Sequence, residues 1–219
     1  MTLWDSSTHV PLLIRDRLDN AKSNPSRGKA TSSPAQLLDM FPTLAALAGL
    51  SFDLAGGANG GVVETDGVDL SPLFADPNKV GVSTAAFSQQ AKCYQKDKAT
   101  PHPTPTQQLK LAMMTCEFVD RTEMDFMGYS IRNGAWRYTE WCAWNGTAMK
   151  PLWSTASSVG IELYDHRGDV EGQLDSENAN VAHMKENEET VTALSKELHE
   201  HFEALWAKRR VYSSTKLIF

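Results

Sequence analysis

The sequence predicts a chain of mixed helix and strand, with a short buried strand and a helix near the N-terminus and, after them, a β-hairpin, a further strand and a long C-terminal helix. Three stretches predict it. Met127–Trp141, MGYSIRNGAWRYTEW, alternates large residues on both sides of Asn133-Gly134, with Tyr129 and Ile131 before the turn and Trp136 and Tyr138 after it. Asn-Gly in that setting is a strong hairpin signal, because a tight two-residue turn asks for positive φ at both positions. Val191, Leu194, Leu198, Phe202 and Leu205 recur at three- and four-residue steps, the period of an amphipathic helix. Val10–Ile14 (VPLLI) is a short apolar run with a proline near its start, the pattern of a buried strand.

The remaining elements follow in chain order. Asp16–Ser33 is polar and reads as a surface loop. Ser33-Pro34 with Gln36 reads as a capping-box start, and Leu37, Met40, Phe41, Leu44, Leu47 and Ala48 then keep helical spacing up to Gly49, a plausible stop. Pro42 either sits in the first turn of a helix capped by Asp39 or kinks a longer one. The spacing Asp-x-x-Pro-Thr-Leu favours the first, since proline is tolerated in a first turn. Ala55–Gly61 is turn-like, Val68–Phe74 is a short apolar stretch after Asp66-Gly67, and Thr84–Ser88 suits a strand. Lys92–Gln108, which contains PHPTPTQQ, is a long loop, and Leu109–Met114 is brief and apolar. Gly160–Tyr164 reads as a strand ending in the turn-rich Asp165-His166-Arg167-Gly168-Asp169. Glu186, Glu188 and Glu189 at the start of the last helix, and Lys208, Arg209 and Arg210 at its end, complement its dipole.

Composition narrows the function. The 219 residues hold one large domain or a domain and a half, with 41% hydrophobic and 22% charged residues. A net charge of -6 and a pI near 5.5 argue against a nucleic-acid partner, which would call for a basic face. No apolar run approaches the roughly 20 residues of a membrane span. The N-terminal MTLWDSSTHVPLLIRDR lacks the basic head and apolar core of a signal peptide. Cys93, Cys116 and Cys142 lie far apart with no C-x-x-C, which argues against zinc. Three cysteines allow at most one intrachain disulfide, and the favoured reading is three partly buried thiols.

Few residues qualify for chemistry. His199 and His201, two apart on a helix, make a poor metal pair and read as solvated helix residues. His102 sits among loop prolines, and Asp165, His166 and Asp169 read as a turn rather than an acid or metal cluster. His9 is either a half-buried histidine bonded to a neighbouring loop or a residue near an anionic substrate. Asn145-Gly146-Thr147 is a glycosylation sequon, usable if the protein is secreted.

Five segments, in one order over roughly residues 1–170, resemble the sulfatase family of the alkaline phosphatase-like superfamily, in the branch around iduronate-2-sulfatase. THVPLLI resembles T-H/R-V-P-L-I. LLDMFPTLAALAGL resembles D-L-F-P-T-L-x-x-L-A-G-L, and DGVDLSPLF resembles D-G-x-S-L-x-P-L-L. Ala86-Phe87-Ser88-Gln89 and the hairpin resemble A-x-S-Q, M-G-Y-S-I-R and Y-R-Y-T-x-W. ELYDHRGD resembles E-L-Y-D-x-x-x-D-P. The chain departs from the pattern at Gln90-Ala91-Lys92-Cys93, where Tyr-Pro-Arg is common, and after Asp169, where Val170-Glu171-Gly172 replaces an E-x-x-N-L continuation.

The resemblance implies residues 1–82 as the end of a sulfatase catalytic α/β domain and 83–219 as its C-terminal subdomain, an antiparallel sheet with a terminal helix. His9, Ser88 and Gln89 become substrate-side candidates, and the substrate class becomes a sulfated carbohydrate or glycosaminoglycan. The parent enzyme would use Ca²⁺ and a formylglycine made within C-x-P-S-R, and would often be secreted, lysosomal or periplasmic. Those residues, and an active-site lysine, are expected upstream of Met1, so no catalytic or metal-binding residue is assigned here. Ser23-Asn24-Pro25-Ser26-Arg27 is a decoy, because Gly28-Lys29-Ala30 follows it instead of the apolar pair and Thr-Gly of the family. Two rival expectations stand beside this one: a non-catalytic carbohydrate-binding or interaction module derived from a sulfatase, and a phosphodiesterase or phosphonate hydrolase of the same superfamily.

Overall fold

The computed structural model describes residues 3–15, 26, 28–50, 65–93, 116, 119–153, 158–169 and 177–214. The expected features at Ala55–Gly61, His102, the PHPTPTQQ loop, Leu109–Met114 and most of the Ser23 motif lie outside these residues. The chain divides into two compact units, one of Pro11–Ala86 with Arg132–Gly134, the other of Met1–Val10, Phe87–Ile131 and Ala135–Phe219. No helix of the described residues is long and apolar enough to cross a membrane.

In the first unit a 3-10 turn, Leu37–Asp39, leads into helix α2, Met40–Leu47 (α1 is the single turn Asp5–Thr8 of the other unit). Pro42 falls in the first turn of α2, where its missing N–H costs no hydrogen bond. The capping box forms between Gln36 and Asp39 rather than from Ser33: the Gln36 N–H donates to Asp39 Oδ2 at 2.7 Å. The helix ends as expected at Gly49, with φ at 68°. Leu50 N–H reaches back to the Ala45 carbonyl and Gly49 N–H to that of Ala46, both at 3.0 Å. That pair of bonds is a Schellman cap, which needs a residue in the left-handed region.

Two polar side chains, Asp39 at the end of the 3-10 turn and Thr43 of α2, hold the segment that follows Gly67. Asp39 Oδ1 accepts from Val68 N–H at 2.8 Å, and Thr43 Oγ1 accepts from Leu70 N–H at 2.9 Å. Both side chains are fully buried. The approach is close enough that a Cβ at Gly67 would stand 2.1 Å from the Leu38 carbonyl oxygen. Helix α3, Pro72–Ala75, follows directly.

The expected strand at Val10–Ile14 does not form. The run is irregular and solvent-facing, with Leu13 89% exposed. Every strand among the described residues lies beyond residue 84, so this apolar run has no ladder to join, and Pro11 lacks the N–H to start one.

Five strands make one sheet: β1 Ala85–Lys92, β2 Phe126–Asn133, β3 Trp136–Asn145, β4 Lys150–Pro151 and β5 Ser158–Asp165. The order is β1-β2-β3-β4, with β5 also on β3. β3 is the spine. It pairs antiparallel with β5 from Trp136↔Asp165 to Cys142↔Ser158, with a bulge at Trp141/Cys142, and with β4 at Trp144↔Pro151. The hairpin stands where the sequence puts it, but its turn does not. The chain reverses through Gly134 and Ala135, and neither Asn133 nor Gly134 has positive φ. The Ala135 carbonyl accepts His166 N–H at 2.8 Å, so a tertiary bond to the end of β5 helps fix this reversal.

Period-two alternation sorts the sheet's residues into two covered faces. On one face Phe87, Tyr129, Tyr138 and Glu140 meet the terminal helix α4, Glu188–Ser214, which buries Leu194, Leu198 and Phe202. Tyr129 and Phe202 lie edge to face at 4.5 Å, and Phe87 stacks on His201 at 3.5 Å. The helix runs past Arg210, so Lys208–Arg210 are interior to it rather than in its last turn. On the other face Leu3, Phe126, Trp141 and Val159 form an apolar cluster, and Gly128 is required because the Trp141 ring occupies the place of a side chain there.

The cysteines are not three free thiols. Cys93, at the end of β1, pairs with Cys116 across a Cα separation of 5.4 Å, which is ordinary disulfide geometry, and Cys142 is the free, buried one.

Candidate functional site

Strand β3 carries a charged residue inward on each of its two faces, and each becomes a hub. On the helix side, Glu140 is 5% exposed and meets four donors. Its Oε2 accepts from His199 Nε2 at 2.9 Å, Tyr138 OH at 3.1 Å and Ser195 Oγ at 3.2 Å, and its Oε1 faces Cys142 Sγ at 3.5 Å. Burial pushes this carboxyl up. The His199 bond, helped by Tyr138 and Cys142, outweighs it and holds Glu140 below the usual carboxylate range. Burial, with Glu140 beside it, pushes the Cys142 thiol well up, which makes it inert.

The composition Ser195, His199 and Glu140 invites comparison with a catalytic triad, but the bonding differs. Serine and histidine both donate to the same carboxylate oxygen, so the serine is not presented to a base. The hub ties α4 to the sheet. Accordingly His199 and His201 are not solvated helix residues: His199 is bonded to Glu140 and stacked on Trp153 at 4.1 Å, and His201 lies on Phe87.

On the opposite face, Arg137 is 1% exposed. Its Nε pairs with Glu177 Oε1, its Nη1 donates to the Leu3 carbonyl at 2.7 Å and to Thr139 Oγ1 at 2.9 Å, and its guanidinium lies 4.8 Å from the Tyr164 ring centroid. Glu177 also accepts from Asp5 N–H at 2.7 Å through Oε2 and faces His166 Nε2 at 3.2 Å through Oε1. His166 Nδ1 lies 2.5 Å from Asp169 Oδ2. Burial pushes the Glu177 carboxyl up, and the bonds from His166, Arg137 and Asp5 more than offset it, so it stays ionised below the usual carboxylate range. The Asp165–Asp169 stretch is a turn, as expected, but its histidine is a buried partner of two carboxylates rather than a turn residue in water.

The E-x-x-N spacing that is absent straight after Asp169 occurs further on, at Glu177-Asn178-Ala179-Asn180. Asn180 clamps the middle of β5 through its side-chain amide. Its Oδ1 accepts from Leu163 N–H at 3.0 Å and its Nδ2 donates to the Ile161 carbonyl at 2.9 Å. Sequence reading missed Arg137, Glu140 and Glu177 as hubs. The available signal was weak: charged residues inside an otherwise apolar strand, and a displaced Glu/Asn pair.

The sequence-selected residues do not converge on one place. His9 follows α1 with its side chain largely exposed and its Nδ1 3.1 Å from Asp5 Oδ2, so the Asp5 main chain links it to the Glu177 hub. Ser88 and Gln89 are neighbours on β1 and therefore face opposite sides of the sheet: Gln89 shares the face of Phe87, and Ser88 that of Lys92, whose ammonium sits 4.2 Å over the Trp141 ring. Asn145 ends β3, and its Oδ1 accepts from Ala148 N–H at 2.9 Å within the turn to β4.

Among the described residues no group of three or more His, Cys, Asp or Glu could hold a metal ion. The buried carboxylates Glu140 and Glu177 already accept protein donors, so these two do not fit the calcium that the resemblance implies for a parent enzyme.

No family model matches this chain, and no curated protein does. Among solved structures, a candidate sulfatase from Bacteroides thetaiotaomicron VPI-5482 is similar to 81% of this chain at 16% identity and a TM-score of 0.40, and the matched chain is spanned to 26% of its own length.

Proposed function

We propose that this chain is the C-terminal part of a sulfuric ester hydrolase of sulfated sugars, in the iduronate-2-sulfatase branch, with residues 1–82 completing the catalytic α/β domain and 83–219 forming the subdomain that walls the substrate cleft. The supporting observation is that the segments carrying the resemblance are those that lock together. Asp39 and Thr43 of LLDMFPTL hold the backbone of DGVDL, and Arg137 of WRYTEW meets His166 of ELYDHRGD at Glu177. Four of the five motifs thus meet in two buried polar joints, one in each unit, which supports the reading.

On this reading the chain does not turn over substrate unaided. Sulfate-ester hydrolysis needs an activated nucleophile and a cationic clamp on the developing charge. The sequence contains no C-x-P-S-R. The polar hubs described above hold structure rather than present reactive groups. Losing one such element costs orders of magnitude in rate, and losing all of them removes catalysis. The test is to assay the purified chain on an aryl sulfate and a sulfated disaccharide with and without Ca²⁺. No turnover above buffer is expected, and saturable, calcium-dependent hydrolysis would overturn the inactivity. The placement is tested separately by the genomic frame preceding residue 1, which should encode C-x-P-S-R; an in-frame stop there without it would favour a stand-alone module.

A further inference from the structure

We propose that His166 is a protonation-controlled clasp which, as the imidazolium, holds the N-terminal segment Leu3–His9 onto the sheet through Glu177. The inference is independent of the sulfatase reading. It begins with donor counting. His166 is 4% exposed, and each of its ring nitrogens faces a carboxylate oxygen, Asp169 Oδ2 at 2.5 Å and Glu177 Oε1 at 3.2 Å. An ionised carboxylate only accepts, so both contacts are hydrogen bonds only when both nitrogens carry protons. A neutral imidazole has one N–H and one lone pair, and here either tautomer leaves a lone pair against an anionic oxygen.

Charge balance gives the same sign. Among the described residues, charged groups around the ring include Asp169 and Asp165 from its own turn and Glu177 from the segment beyond it, with buried Asp5 of the N-terminal segment on the other oxygen of Glu177. Arg137 of β3 reaches the ring's environment through Glu177. Asp165 lies at the surface in a bidentate pair with Arg167 and is already balanced. Loss of the ring proton therefore leaves the Glu177 and Asp169 carboxylates facing an uncharged ring. An unbalanced charge in a buried cluster is costly.

Glu177 passes the state of the ring to the N-terminus. Its Oε1 takes Arg137 and His166, and its Oε2 takes Asp5 N–H at 2.7 Å. Asp5 is buried, and its own carboxylate holds the exposed His9. When the His166 proton leaves, repulsion between its bare nitrogen and Oε1 displaces Glu177 and loosens Asp5. A histidine whose proton is held by partners in the fold contributes stability that is complete below its unfolded pKa and is lost as pH rises through its folded one. The clasp is therefore closed at acidic pH and opens on alkalinisation.

The experiment uses the full chain labelled with ¹⁵N. Imidazole nitrogen shifts of His166 should show both nitrogens protonated at pH 7. As pH is raised through the His166 transition, the Asp5 amide should lose protection from exchange by roughly tenfold, the worth of one charge-assisted hydrogen bond, relative to an unstructured Asp5 amide. The two midpoints should coincide. His166→Gln should give low, pH-independent Asp5 protection. Should that variant fail to fold, Asp169→Asn keeps the Glu177 contact and should move the His166 midpoint to lower pH. A bare ring nitrogen at pH 7, Asp5 protection indifferent to the His166 transition, or an unmoved midpoint in Asp169→Asn would each overturn the clasp.

Discussion

Helices α2 and α4 have similar apolar spacing in the sequence and opposite fates in the fold. α4 lays Leu194, Leu198 and Phe202 onto the sheet, and Leu198 has no exposed surface at all. α2 and its preceding turn leave Leu37, Phe41 and Leu44 more than half exposed, while the residues with no exposure are the polar Asp39 and Thr43. One helix is held by apolar area removed from water and the other by hydrogen bonds to a neighbouring backbone. The difference teaches that a 3.6-residue stripe announces a helix without saying what covers the stripe.

Three substitutions would sharpen or break this comparison. Leu198→Ala should lower the unfolding free energy by roughly 2–5 kcal/mol, the range for deleting a buried leucine side chain. A loss in denaturant titration below about 0.5 kcal/mol would mean that the α4 stripe is not core. Asp39→Ala should cost about 1–3 kcal/mol for each of the Gln36 and Val68 N–H groups left without an acceptor. Amide exchange at those two positions should report it, and unchanged protection there would show that water serves equally well. Leu44→Ala, at a site 51% exposed, should shift stability by less than about 0.5 kcal/mol. A loss as large as that of Leu198→Ala would show that α2 buries its stripe in solution and would erase the contrast.

Legibility tracked distance along the chain. Gly49 as the stop of α2, Pro42 in its first turn and the span of the hairpin were readable because each is fixed by residues a few positions away. The place of the hairpin turn, one residue past Asn-Gly, was not legible, because the reversal also carries a tertiary bond from His166 N–H to the Ala135 carbonyl. Val10–Ile14 was misread because apolar runs form strands only where a partner edge exists. Of the site candidates, only His9 touches a hub, and it does so through Asp5. Ser88 and Gln89, adjacent in sequence, were separated by the alternation of the strand that carries them.

By itself the sequence determined the periodic elements: the β2–β3 hairpin, the strand ending at Asp165, the capped helix before Gly49 and the long terminal helix. Periodicity is local, and local backbone preferences write it directly into residue order. Only the tertiary structure decided which buried charges meet. Arg137 finds Glu177 forty residues away and the Leu3 carbonyl 134 residues away, and Glu140 finds His199 across 59. No spacing rule encodes such pairs, because what selects them is the cost of burying a charge alone, and that cost exists only once the sheet has both its faces covered.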